Sequence, residues 1–237
     1  MTTPRCRFVV GVVAAVSFSS LYASGQVTMV RDRPFIASKA ISTDLPEAQH
    51  AVTAKMARSS EGSTYYEIPN TREGGVFMAV IQNVPRQQTI YLYPKDHQYT
   101  MQQTPFSPVQ LPDKQTQSEA QKKLLADLKP SKQTRDDGSV VEMYPLGFRT
   151  ENGLLEFGDR RTYSNLPPTS GLKERVWETW IVLGEALTAE QIGFDENHQA
   201  RQRTKLTEID MTEPDPKLFE IPEGYTLRPP PPLRPNQ

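Results

Sequence analysis

Cysteine is almost absent from this sequence. Its one copy, Cys6, precedes an apolar run near the N-terminus, so the chain beyond it has no disulfide, thiol nucleophile or cysteine metal site. Histidine is nearly as scarce. His50, His97 and His198 lie far apart in the chain, and none has a second ligand at the spacing that clustered metal sites use. No Gly-x-Ser-x-Gly element exists to hold a serine on a sharp turn beside a base. Gly74-Gly75 lacks the glycine and lysine context of a phosphate loop and leads into an apolar run, as a turn does. Carboxylate pairs such as Glu156/Asp159 and Glu174/Glu178 are spacings that 28 acidic residues produce by chance. A hydrolase therefore finds no constellation here, and no cofactor is implied. The expectation is a protein that is not an enzyme.

A strong excess of either charge is missing as well. Lys and Arg number 27 against 28 Asp and Glu, with no polybasic run. That excludes the electrostatic footprint of a nucleic-acid partner or of a charged membrane surface. Long apolar runs are also lacking. The longest, Phe8 to Phe18, is about half of what a bilayer crossing needs. Arg5 and Arg7 precede it and Ala23-Ser24-Gly25 follows, which is the order of a secretory signal cleaved near Gln26. Residues 1–25 are thus expected to be removed. Arg5 and Arg7 go with them, which takes the net charge from −1 to −3. No cysteine follows the apolar core to carry a lipid anchor, so the product is expected in the periplasm or secreted, with no membrane span.

What is present is β pattern. Val52, Ala54 and Met56 alternate with Thr53 and Lys55, the period of a half-buried strand. Ser59 to Ser63 turns the chain and Thr64 to Ile68 runs back. Val76 to Ile81 is continuously apolar, which predicts a strand covered on both faces. Thr89 to Tyr93 and Gln98 to Gln102 continue a meander through the turn Pro94-Lys-Asp-His97. Residues 103–117, rich in Pro, Gln and Thr, read as a linker. One amphipathic helix is expected over 118–129, with Ser118 as N-cap and Ala120, Leu124, Leu125 and Leu128 on one face.

Asn152-Gly153 between apolar runs is the strongest hairpin signal, since both residues suit the positive φ of a type I′ turn. Further strands are expected at Arg175 to Val182, Gln191 to Phe194 and Ala200 to Ile209. About ten short strands and one helix predict one mainly β domain over 26–227: a curved antiparallel sheet or unclosed half barrel. Residues 228–237, with five prolines, read as a disordered tail.

Trp177 and Trp180 stand three apart on a strand and so face opposite sides of the sheet. Several strands read as apolar on both faces. One face can be covered by the helix; the other calls for a second wall, a partner or a ligand. An ordinary closed core is one reading. An open apolar groove involving Phe77, Met78, Trp177 and Trp180 is the other. Near the C-terminus, Asp215 and Pro216 read as N-cap and first residue of one helical turn that throws Phe219 inward before Tyr225 rejoins the sheet. These three residues, Asp215, Phe219 and Tyr225, are the expected structural clasp.

The phrase from Glu213 to Tyr225 resembles the ending of a group of uncharacterised exported bacterial proteins, many from acidobacteria-like genomes. The strand–Ser-Glu-Gly–strand at 49–68, the Val-Ile-Gln-Asn-Val-Pro and Ile-Tyr-Leu-Tyr-Pro pair at 80–94, and Leu146-Gly147 before the Asn-Gly hairpin agree with it. The arginine-rich strand usual after the first turn is replaced here by Thr64-Tyr-Tyr-Glu67. A similar ending occurs in the periplasmic outer-membrane lipoprotein-sorting carrier fold, a half barrel wrapped on a helix. The resemblance implies a carrier-like binding module, for an apolar ligand or a lipidated partner. An envelope protein-interaction module, engaging a partner by a sheet edge or the proline-rich tail, is the alternative.

Overall fold

The computed structural model describes residues 27–43, 52–70, 73–166 and 174–229. The expected signal segment lies outside them, as does the tail from residue 230 onward. In chain order the strands are β1 (Val27–Arg31), β2 (Phe35–Thr43), β3 (Val52–Arg58), β4 (Thr64–Pro69), β5 (Val76–Asn83), β6 (Gln88–Tyr93), β7 (Gln98–Gln103) and β8 (Phe106–Gln110). The helix α1 (Lys114–Ala126) follows, then β9 (Ser131–Thr134), β10 (Val140–Glu151), β11 (Leu154–Ser164), β12 (Glu174–Val182), β13 (Leu187–Phe194) and β14 (Ala200–Asp210). A 3₁₀ turn at Pro216–Phe219 leads to β15 (Thr226–Leu227).

Thirteen of these strands form one sheet in the order β15-β7-β6-β5-β4-β3-β2-β14-β13-β12-β11-β10-β9. All its pairings are antiparallel except β15 on β7. The sheet is mostly β meander, and it is not closed into a barrel. Its curvature can be read from one side chain. Arg58 on β3 donates from Nη2 to the Glu185 carbonyl at 2.6 Å and from Nη1 to that of Ala186 at 3.3 Å, in the turn between β12 and β13. Strands β2 and β14 lie between, and in a flat sheet that would be roughly 14 Å of separation at ~4.8 Å per strand. Burial draws the Arg58 guanidinium down to about 10. Its Nε also donates to the Arg33 carbonyl at 2.7 Å, and the group stacks 5.0 Å from the Phe35 ring centroid.

Inside the curl Phe35, Ala37, Met56, Val182, Leu187, Ala189 and Leu206 pack into a filled core. A second core of Ala57, Ala79, Ile81, Ile90 and Leu92 is covered by Phe219 from the C-terminal segment. The continuous apolar run of β5 is buried on both faces only at Ala79, Val80 and Ile81; Phe77 is 58% exposed.

Two expectations need correction. Residues 103–117 are not a linker. Within them β8 pairs in parallel with β1, and Phe106 is buried with Val27, Met29 and Val84. Partners so distant in the chain leave no local trace that a reading of neighbours could catch. The helix also starts earlier than Ser118, at Lys114, because the Asp113 carboxylate accepts from Thr116 N at 2.9 Å and caps it. It buries Leu125, and Leu128 packs with it on Phe157, Ile181 and Leu183, whereas Leu124 is 55% exposed and Ala120 is exposed. Polar contacts complete the seat. Gly184 N donates to Gln121 Oε1 at 2.8 Å, and Arg33 Nε donates to the Gly184 carbonyl at 2.7 Å.

Arg228, assigned to the tail by its proline-rich neighbourhood, remains attached to the domain. Its N donates to the Tyr99 carbonyl at 2.8 Å and its guanidinium stacks 4.6 Å from the Tyr93 centroid.

Candidate functional site

The Asn152-Gly153 turn, with φ of 50° and 75°, fixes the register of β10 on β11. From there three strands present a grid. Asp159 opposes Thr179, which opposes Gln191; Arg161 opposes Trp177, which opposes Gly193; Tyr163 opposes Arg175. Residues directly opposite share a face, so all of these positions lie on one face of the sheet. Leu155, Phe157 and Ile181 share it by the strict two-residue alternation, and there α1 covers them. Past Phe157 the helix cover stops, and beyond the buried Asp159 and Thr179 the face opens.

That open part is a recess of about 340 Å³ lined by Arg135, Arg161, Tyr163, Leu166, Arg175, Trp177, Thr179 and Gln191. Trp177 forms its floor because β13 has glycine opposite. The ring lies so close that a Cβ on Gly193 would stand 2.8 Å from Trp177 Cζ3. Arg135, just past the end of β9, stacks 5.2 Å from the Tyr163 centroid. Asp159 is buried and receives the Arg161 Nε at 2.6 Å. Burial pulls the Arg161 guanidinium down, yet the bonds to Asp159 more than offset that and hold it above its ordinary value. Arg135 and Arg175 are exposed and make no ion pair among the described residues. Asp137 feels the charge of Arg135, but its carboxylate is taken up by the Ser139 hydroxyl and amide. Three guanidinium groups thus line the recess, and among the described residues only that of Arg161 is held in an ion pair, by Asp159.

The reverse face of the same strands is closed. There Trp180 lies on Gly158 and under Arg149, whose guanidinium carbon is 3.9 Å from the ring centroid. Arg149 Nε donates to Glu156 Oε2 at 2.7 Å, and its Nη2 lies 3.0 Å from Glu151 and 2.9 Å from Glu190. The Nη2–Glu190 Oε2 approach lacks hydrogen-bond alignment, so it is an ion pair by proximity. Arg203 Nε reaches Glu190 Oε1 at 2.5 Å, and Lys205 pairs with Glu151. Three cations meet three carboxylates, with Glu156 and Glu190 almost fully buried. No group of three or more His, Cys, Asp or Glu side chains suited to a metal ion occurs among the described residues.

Of the four groove residues expected from sequence, the structure places Trp177 in the recess and Trp180 on the opposite, closed face. Phe77 and Met78 sit on β5, with five strands between them and β12. The four do not come together, because the sheet order puts β2 and β14 in its middle. Sequence alone does not single out Arg135, Arg161, Tyr163 or Arg175. The alternation Asp159, Arg161, Tyr163 beside Arg175, Trp177, Thr179 is the signal that could have found them. At the clasp, Asp215 accepts from Lys217 N at 2.9 Å, Phe219 is 5% exposed, and Asn83 Nδ2 donates to the Phe219 carbonyl at 3.1 Å. The Tyr225 ring lies 5.6 Å from that of His97.

No family model matches the chain, and no curated protein matches it. Solved structures do. An uncharacterised conserved protein from Thermus thermophilus aligns at 10% identity and a TM-score of 0.46, over 83% of this chain and 90% of that one. MucB aligns at 11% identity and 0.42, over 80% and 57% respectively. A LolA superfamily protein from Nitrosomonas europaea aligns at 9% identity and 0.26, over 79% and 90%.

Proposed function

We propose that this chain is an exported, non-enzymatic binding module whose ligand sits on Trp177 in the recess of the β11–β13 face. The observation that carries the reading is a cover that stops short. Helix α1 covers Leu155, Phe157 and Ile181, while beyond the buried Asp159 and Thr179 the same face opens over a half-buried indole. The volume falls at the lower end of small-ligand clefts, and Tyr163, Leu166 and Trp177 give it an apolar floor among five polar or charged side chains. Export rests on the order of residues in segment 1–25, and a carrier-like role on the resemblance of the Glu213–Tyr225 phrase.

Native mass spectrometry of the protein purified from its own cells tests the reading. A bound small molecule is expected on the wild type and lost from Trp177→Ala. A bare wild-type mass, or an adduct that persists in the folded variant, would refute it.

The protein-interaction alternative has one observation in its favour. Beyond Met143 the outer edge of β10 is unpaired among the described residues, and Tyr144, Leu146 and Phe148 are exposed along it. Pro145 and the bulge at Gly147 interrupt that edge, as they do on strands protected from pairing. The recess is therefore the stronger reading.

A further inference from the structure

We infer that the recess takes a ligand carrying an oxyanion next to an apolar body: the phosphate, sulfate or carboxylate end of an amphiphile. The inference rests on the recess being the ligand site. The two faces of the same three strands supply the argument, because each uses an arginine against an aromatic ring. On the closed face, Arg149, Arg203 and Lys205 are matched by Glu151, Glu156 and Glu190. On the open face Arg135, Arg161 and Arg175 converge, and among the described residues only Arg161 has a carboxylate, Asp159, paired with it. Asp159 occupies Arg161 from beside it and leaves Arg135 and Arg175 with unused donors facing the recess. An oxyanion suits them, since guanidinium groups offer forked donors that match two oxygens at once. Tyr163, Leu166 and Trp177 line the same recess, so a group attached to that anion meets ring and aliphatic surface there. The indole can lie flat there because Gly193 presents no Cβ beneath it.

Calorimetric titration of the intact protein separates the parts of this inference. The probes are dodecyl phosphate, dodecyl maltoside and dodecyltrimethylammonium, each below its micelle concentration, together with inorganic phosphate. Dodecyl phosphate is expected to bind at least about tenfold more tightly than the uncharged maltoside of equal chain length, the size of one charge-assisted contact. The trimethylammonium compound should bind weakest. The double substitution Arg135→Gln and Arg175→Gln, both at exposed positions, should abolish the phosphate preference, so that dodecyl phosphate and maltoside bind that variant alike. Equal affinity for phosphate and maltoside would overturn the anion inference while the recess reading stood. Binding of neither dodecyl probe would sink both. Inorganic phosphate competing as tightly as dodecyl phosphate would mark a free-anion site and overturn the amphiphile.

Discussion

The indole of Trp180 lies against the backbone of Gly158 so closely that a Cβ at that position would stand 2.7 Å from Trp180 Cζ3. The two are direct cross-strand partners on β12 and β11. Glycine weakens a strand in isolation, but here the ring takes the place of the missing side chain. Because Arg149 stacks on the same ring and is itself held by buried carboxylates, the indole has nowhere to move. Gly158→Ala should therefore cost about 1–3 kcal/mol, the range of overpacking in a filled site. Gly193→Ala crowds Trp177 at a similar 2.8 Å, but among the described residues no guanidinium stacks on that ring, which can swing into the recess. It should lower the melting temperature less and weaken ligand binding more. Thermal unfolding of both variants checks the order; equal losses would show that the two rings are equally confined.

How much of this is legible in the sequence differs between the sheet and the site. Period-two runs, the Asn152-Gly153 turn and the Ser59–Ser63 turn are enough for a mainly β, antiparallel and unclosed sheet, since each signal is local. The Trp177 and Trp180 faces follow from alternation alone. What cannot be read is distance. The β1–β8 pairing joins segments separated by six other strands, and the curl that brings Arg58 to Glu185 depends on bulges and twist, not on any one residue. The recess escapes for a related reason. An arginine on a strand reads as a solvated position until the neighbouring strands show that Arg161 and Arg175 converge on one indole.

The closed charge cluster makes opposite predictions for two of its acids. Hydrogen bonding from Lys205 holds Glu151 below its ordinary carboxylate value. Its contribution to stability is thus complete above about pH 4.5, the unfolded value, and is lost as pH falls through the lowered folded one. Burial pushes Glu156 above its ordinary value despite the bond from Arg149. Its contribution is complete below about pH 4.5 and is lost as pH rises through the raised folded value. Glu151→Gln should lower the melting temperature at pH 7 more than at pH 3. Glu156→Gln should remove the loss that ionising Glu156 imposes on the wild type near neutral pH. Melting curves from pH 3 to 7 that shift in parallel for both variants would contradict the assignment.

Asp113, not Ser118, begins the helix, and two alanine substitutions distinguish them. Asp113→Ala leaves the Thr116 amide without its acceptor and should lower the melting temperature, as loss of a helix cap does. Ser118→Ala sits within the helix, where alanine is the better former, and should not. Because the recess begins where α1 ends its cover, Asp113→Ala should also raise amide exchange along β11 from Leu155 to Phe157. A Ser118→Ala loss matching that of Asp113→Ala would place the cap at Ser118 after all.

The C-terminal segment supplies the last test. Asp215 caps a 3₁₀ turn that Pro216 starts, and Phe219 closes over Ala57, Ala79, Ile81, Ile90 and Leu92. The backbone is tied down at that ring and again beyond it. Asn83 Nδ2 holds the Phe219 carbonyl, and Arg228 N reaches the Tyr99 carbonyl on β7. Pro214 and Pro216 restrict the path into the ring and Pro222 the path between those ties, so the ring has few other positions to take up. A cavity left there cannot close by a small shift of the segment. Phe219→Ala should cost about 3–5 kcal/mol, a large part of the roughly 5–15 kcal/mol that a domain holds. Lys217→Ala, exposed in the same turn, should stay within about 0.5 kcal/mol. Chemical denaturation of the two variants decides the matter. If Phe219→Ala unfolds at the same denaturant concentration as Lys217→Ala, the segment merely lies on the sheet, and the core beneath it is stable without its cover.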